Sequence, residues 1–563
     1  MADSLPPAGR SGRRPRTLVV IAGLAAVVVL VAGGVFAYLQ LQSGGGSGAT
    51  PRFVDETAAA GISQTYSGGA TYDTGGGLAV FDCNGDGKPE IYMAGGTNPA
   101  VLYRNDSPIG GALKFTAIHD AATDLTSVTG AYPIDIDGDG NTDLVVLRAG
   151  GNVVLRGLGN CKFQAANEQW AIDGGKGLSI AFSATWEGTN SLPTLAFGRF
   201  RKFDATGKLT LDCDSPMLER PASAAAYAAP ISLEPGYCSL SLLFSDWSGT
   251  GERDLRVAND RNYYLGGQEQ LWKIAPGQAP SLYTAADGWQ SVQIQGMGIA
   301  TYDLSGDGKP AYFLTSQADD RLQILADTAA AGHPQFHDIA LARGVTSARP
   351  GAGDDVLPST SWHPEFQDVN NDGLIDLLIT KGNPSAVPEY ASKDPSALFL
   401  GKADGTFTDV AEAAGIVDYD RGRGAAFGDF NLDGQLDMVE MFYEAPAKLW
   451  RNVGTGTSAA PAPMGHWLAV RAAEAAPNTD AIGAWIEVQA GDNTMRRELN
   501  IGGGHSSGEL GWTHFGLGSA TSAQVRVKWP DGTTGPWMAA TADSFLTVTK
   551  GATNPTPWEP GQG

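Results

Sequence analysis

One nine-residue pattern constrains this chain more than any other feature. Asp429-Phe-Asn431-Leu-Asp433-Gly434-Gln-Leu-Asp437 returns as Asp82-Cys-Asn84-Gly-Asp86-Gly87-Lys-Pro-Glu90, as Asp135-Ile-Asp137-Gly-Asp139-Gly140-Asn-Thr-Asp143 and as Asp368-Val-Asn370-Asn-Asp372-Gly373-Leu-Ile-Asp376. Two weaker copies open at Asp246, with Ser248 third and Asp254 ninth, and at Asp303, with Ser305 and Asp307 but Ala311 ninth. Oxygen-bearing side chains at positions 1, 3, 5 and 9 converge on one point, a carbonyl at position 7 joins them, and Gly at position 6 takes the tight turn. That is a cage of hard oxygen ligands for Ca²⁺. Without a cation the crowded carboxylates repel one another and some keep their protons; a divalent ion removes the conflict. Asp-Gly pairs also turn ordinary hairpins. The repetition of the full pattern favours calcium instead, with about four to six ions in all.

The opening aspartates are regularly spaced except between 135 and 246, a gap of two units. A copy stripped of its ligands is expected there, at Phe182 to Gly188 followed by Leu195 to Gly198. Each unit has a short apolar strand, the acidic loop, and a strand such as Asp143-Leu-Val-Val-Leu147 or Asp376-Leu-Leu-Ile-Thr380. Further short strands follow. Four-stranded units repeated radially predict an all-β, seven-bladed β-propeller over residues 52–454. Helical repeats are disfavoured, because the apolar runs are short and lack a 3.6-residue period. A second phrase, Phe407-Thr-Asp409 to Gly415 and Phe336-His-Asp338 to Gly344, is missing after the last unit and stands instead at Phe53-Val-Asp55 to Gly61. Arg52 to Ile62 is therefore predicted to pair into the final blade and fasten the ring. In the fourth unit, Arg261, Tyr263, Tyr264 and Gln268 to Trp272 form a polar and aromatic cluster that reads either as a binding surface or as a hydrogen-bonded corner. Residues 464–548 alternate apolar and polar positions, as in a small β-sandwich, and 549–563 reads as a disordered tail.

Ahead of the repeats, residues 1–16 carry Arg10, Arg13, Arg14 and Arg16, and Thr17 to Leu39 has no charge. Residues 17–40 are read as an uncleaved transmembrane signal-anchor, with the amino terminus cytoplasmic and the bulk on the cell surface or in the periplasm. Cleavage after Val35-Phe-Ala37 and secretion is the alternative. Residues 41–51 are a flexible tether. A net charge of −23 argues against nucleic acid as a partner. Four cysteines in an exported chain are compatible with two disulfides. Cys213 and Cys238 bracket an Ala/Pro-rich excursion, and Cys83 with Cys161 follows by elimination; four buried thiols are the alternative.

The acidic loops, together with Asn478-Thr-Asp480-Ala-Ile-Gly483, Gly502-Gly-Gly-His505-Ser-Ser507, His514-Phe-Gly516-Leu-Gly518 and Trp529-Pro-Asp531-Gly532, make the chain resemble FG-GAP/VCBS-repeat proteins that end in an ASPIC/UnbV domain, the cartilage acidic protein-like family. The resemblance covers about residues 52–548. It implies an integrin-α-like propeller with calcium on its loops and a β-rich C-terminal domain. The function expected is a membrane-anchored, extracytoplasmic, calcium-binding scaffold for a protein or glycan. The alternative is an extracytoplasmic enzyme acting on polysaccharide or carrying a quinone. The clustered carboxylates are nearly all assigned to loops, and His505 and His514 stand near Gly-rich turns without a nucleophile, so no catalytic set is read from the sequence.

Overall fold

The computed structural model describes residues 48–260, 266–347, 349–350 and 357–561. The basic segment, the anchor and most of the tether lie outside the described residues, as do Arg261, Tyr263 and Tyr264. Among the described residues, no helix is long and apolar enough to cross a membrane.

Among the described residues, seven antiparallel sheets precede the C-terminal region. Each opens with a strand of almost wholly buried residues: Leu78–Phe81, Val128–Ile134, Leu178–Thr185, Ser239–Ser245, Gly296–Tyr302, Ser361–Gln367 and Arg421–Gly428. These first strands neighbour one another in chain order, and the last packs against the first. Burial on both faces explains why they do not alternate apolar and polar residues. The all-β arrangement fits a β-propeller. The ligand-poor third unit is present as the pair Leu178–Thr185 and Thr194–Phe203. Phe53–Asp55 pairs with Lys448–Asn452, placing Phe53 opposite Asn452. The buried Glu56 then joins the last sheet to the first, accepting from Arg451 Nε at 2.9 Å and from the Leu113 N–H at 2.8 Å.

Both expected cystines form, Cys83–Cys161 and Cys213–Cys238. The C-terminal region has two four-stranded sheets, one built on His466–Ala473 and Ser544–Thr549, the other on Trp485–Ala490 and Ser522–Lys528. Leu468, Val470, Ile486, Val488, Val525 and Phe515 share a core between them. The reading of 549–563 as a disordered tail is corrected: Thr556–Trp558 is a strand paired with Phe545 to Thr547. Its anchor is Trp558, whose ring meets Phe545 at 5.4 Å and Trp512 at 5.3 Å. One large aromatic outweighs the Pro-rich composition around it.

The C-terminal domain also enters the axis of the ring. Residues Ile501 to Leu510 run down the channel as a plug and touch the inner edge of every sheet. Gly508–Leu510 pairs in parallel with Ala79 to Phe81. Ser506 accepts from the Ala131 N–H, its hydroxyl donates to Ile180 O at 3.0 Å, and Ile501 O accepts from Ser183 Oγ at 2.6 Å. The N–H groups of Gly503 and Gly504 donate to Leu242 O and Ile299 O, each at 2.7 Å, and the His505 N–H donates to His363 Nδ1 at 3.0 Å. On the seventh strand Gly424 leaves room for the Ser507 hydroxyl. Glycine is required at Gly77 and Gly130 for the same reason, since a Cβ on either would overlap the Ser506 carbonyl.

Candidate functional site

The acidic loops join the first strand of a sheet to its second. In all six, one oxygen of the opening Asp accepts the N–H of the position-6 glycine at 2.7–2.9 Å. Those glycines have φ between 78° and 90°, left-handed values that explain the residue type. Position 9 has a role that ligand counting misses. Asp143, Asp376 and Asp437 open the second strand, accept the N–H of position 2 with one oxygen, and accept an N–H of the third strand with the other. The carboxylate thus brackets three strands through two backbone donors. Glu90 repeats this at Cys83 and Asn105.

Electrostatics separate the loops. Burial pushes Glu90, Asp143 and Asp368 up to about 8, and the neighbouring loop carboxylates add to the rise. Asp376, Asp429 and Asp437 also rise well above the carboxylate range, through burial and then mutual repulsion. The 135 loop brings oxygens of Asp135, Asp137 and Asp143 within 4.8 Å of one another. There, however, Arg156 Nε sits 2.6 Å from Asp137 and its other nitrogen bonds Asp139. Arg471 lies 3.6 Å from Asp82, and Arg496 lies 3.5 Å from Asp303. The 368 and 429 loops have no such ion pair among the described residues. In the latter, Asn431 Oδ1 is a buried acceptor with no donor among the described residues. A hard cation fits these two best, because its charge would stabilise the ionised carboxylates and its coordination would use that oxygen. In the fourth loop Asp254 Oδ2 already accepts from Trp247 Nε1 at 2.7 Å and from the Tyr283 hydroxyl at 2.9 Å, and Ser248 bonds Thr250. In the fifth, Ser305 stands beside Asp303 and Asp307 with no ninth carboxylate.

The loop face is not free. Trp512 Nε1 donates to Gly87 O at 3.1 Å, Thr479 Oγ1 to Asp135 at 2.6 Å, and Lys528 Nζ to Gly249 O at 3.3 Å. Arg496 donates to Gly306 O at 2.8 Å, Asn493 to Gly373 O at 2.9 Å, and His514 Nε2 lies 2.6 Å from Asn371 Oδ1. The Trp467 ring covers Gly434. Every acidic loop therefore carries part of the C-terminal domain.

Profiles of two families match. The FG-GAP-like repeat covers residues 82–146 and 368–440, and ASPIC and UnbV covers 474–555. The chain is an FG-GAP-repeat protein with an ASPIC/UnbV domain. Cartilage acidic protein 1 of Xenopus tropicalis is 24% identical over 225 residues, which cover 37% of this chain and 32% of that protein. The Homo sapiens protein is 27% identical over 226 residues, covering 37% and 31%. This FG-GAP/ASPIC protein thus spans about a third of the length of the curated relatives it matches. A crystal structure of BBS1N in complex with ARL6DN aligns with a TM-score of 0.41 at 11% identity, covering 73% of this chain and all of that one. The repeats and the two cystines point to an extracellular protein.

Sequence reasoning placed the loop residues but missed Arg156, Arg471, Arg496 and Thr479, which reach the loops from other strands and the other domain. It also left His505 near a turn. The ring is fully buried in the plug, with Nε2 2.8 Å from Thr74 O and Nδ1 3.3 Å from Met297 O. Burial lowers it to about 3, so it is neutral and its one N–H serves the shorter contact. Inner-strand glycines such as Gly77, Gly130, Gly298 and Gly424 were the available signal that something fills the axis.

Proposed function

We propose that this chain is a non-enzymatic, exported interaction scaffold: a seven-bladed, integrin-α-like propeller, stiffened by Ca²⁺ on its loops, held outside the membrane by residues 17–40, and presenting a surface to a protein or glycan. The observation that supports this best is the seating of the C-terminal domain. It leaves the acidic loops at an internal interface, where they set the rigidity of the molecule rather than touch a partner. The surface for a partner is then the opposite face, formed by connections between second and third strands and by those that lead into the next first strand. There Asn383, Ser385, Tyr419 and Arg421 line a hollow of about 340 Å³, with Arg421 stacked 4.4 Å over Tyr443. Exposed aromatic and Arg side chains on rigid sheets are the usual anchors of such contacts. Asp368, Asn370, Asp372 and Asp376, with Asp429, Asn431, Asp433 and Asp437, would hold the firmest ions.

Thermal unfolding with a chelator, then with Ca²⁺ restored, tests the calcium part. A Tm lowered by several degrees and recovered on Ca²⁺ addition is expected; an unchanged Tm would end that reading. For the surface, partner capture should be lost in Tyr419→Ala with Arg421→Ala. Equal capture by that variant would move the contact elsewhere.

A further inference from the structure

Two carboxyl groups meet where the sixth first strand passes the plug, at the edge of a partly open cleft of about 410 Å³ between propeller and C-terminal domain. Glu365 and Glu509 hydrogen-bond each other, so one proton is shared; burial and the Glu365 charge push the Glu509 carboxyl well up. Glu365 is held by Gln367 Nε2 at 2.8 Å and the Phe427 N–H at 3.2 Å. His363 stands beside it, 4% exposed and on the cleft wall. Its Nδ1 accepts the His505 N–H, so the proton is on Nε2, which lies 3.5 Å from Glu365 and has no hydrogen-bond partner among the described residues. Across the cleft, Glu498 Oε2 also lacks a partner. Arg497 is held by Gln367 and by Phe366 O at 2.9 Å, and Arg471 is stacked 4.1 Å over Trp512.

We propose that this cleft binds a short neutral saccharide of one or two rings. Its volume is in the range of small-ligand sites. An orphan donor at His363 and an orphan acceptor at Glu498 are each costly to bury, and a hydroxyl, which donates and accepts, satisfies both kinds. An anion is disfavoured, because Arg497 is held by Gln367 and Phe366 O, Arg471 lies 3.6 Å from Asp82, and the Glu365 charge stays at the edge of the cleft. A divalent ion is disfavoured too, since among the described residues Glu365, Glu509 and His363 do not bring three ligand atoms within 4.8 Å of one another, as Asp135, Asp137 and Asp143 do. Cleavage of the sugar is not implied, because a hydrogen-bonded pair is closer than the roughly 5 Å a retaining glycosidase needs. The proposal goes beyond the scaffold reading and uses a different surface, so either can fail alone.

The test titrates the full chain in detergent, with Ca²⁺ present throughout, against cellobiose, maltose and diacetylchitobiose, with glucuronate and inorganic phosphate as charged controls, by saturation-transfer NMR and calorimetry. At least one neutral disaccharide should bind. Glu509→Gln, which keeps a hydrogen bond to Glu365, should weaken it about tenfold. Ala473→Leu, which narrows the cleft without touching the pair, should do the same and decides the matter if the first variant does not fold. Absence of binding by all three sugars, tighter binding of the charged controls, or unchanged affinity in the folded variants would overturn the proposal.

Discussion

Asp143, Asp376 and Asp437 have two roles with different demands on the proton. As brackets they need two acceptor oxygens, whatever the ion does. Asp376→Asn keeps one acceptor and places an NH₂ opposite a strand N–H, so it should cost about 1–3 kcal/mol even in chelator, measured by urea unfolding. As crowded carboxyls they bring a pH dependence. Glu90, Asp143 and Asp368 sit at about 8 in the metal-free fold, against roughly 4 in the unfolded chain. The unfolded state releases these protons first, so their contribution is full below about 4 and is lost as pH rises through about 8. His505 and His514 have the opposite sign: held at about 3 against about 6.5 when unfolded, they lose stability as pH falls below about 6.5. Only above about 6.5 do the carboxyls act alone. Between there and about pH 8 the Tm in chelator should fall, and Ca²⁺ should reduce that fall by stabilising the ionised loop carboxylates, leaving the share of Glu219 and Glu440, which burial also holds at about 8 outside the loops. A Tm independent of pH in chelator would contradict the burial of these groups.

At the scale of elements, the plug and the closing strand exchange backbone hydrogen bonds with partners hundreds of residues away. Gly130→Ala drives a Cβ into the Ser506 carbonyl, and overpacking against backbone should cost about 1–3 kcal/mol. Gly151→Ala is the control: its nearest neighbour would be 3.6 Å away, and a change within about 0.5 kcal/mol is expected. Equal effects in denaturant titrations would mean that the plug does not fill the axis in solution. Deleting residues 52–62 removes Phe53–Asp55 from the last sheet and Glu56 from Arg451. It bares a strand edge and a buried guanidinium together, so loss of soluble folded protein is expected, read by circular dichroism and gel filtration.

For the whole molecule, the C-terminal domain is part of the propeller's interior as well as a neighbour on its face. Calorimetry of the intact chain should therefore show one cooperative transition, and truncation after residue 463 should lower the Tm of what remains. Two separated transitions in the intact chain would show that the plug contributes little. The same seating turns six acidic loops, which in isolation look like a display surface, into an internal joint.

The loops and the closing strand were legible in the sequence, because each depends on neighbours a few residues away or on a phrase that recurs, and the cystine pairing followed by elimination once Cys213 was matched with Cys238. A glycine at position 6 and aspartates at fixed offsets dictate a turn wherever they occur. The plug, the arginines on the loops, the Trp558 strand and the Glu365–Glu509 cleft had no comparable signature. Gly502 to Ser507 reads as a flexible turn until seven inner strands from distant parts of the chain surround it. Long-range burial then supplies each backbone group with a partner that local sequence does not specify.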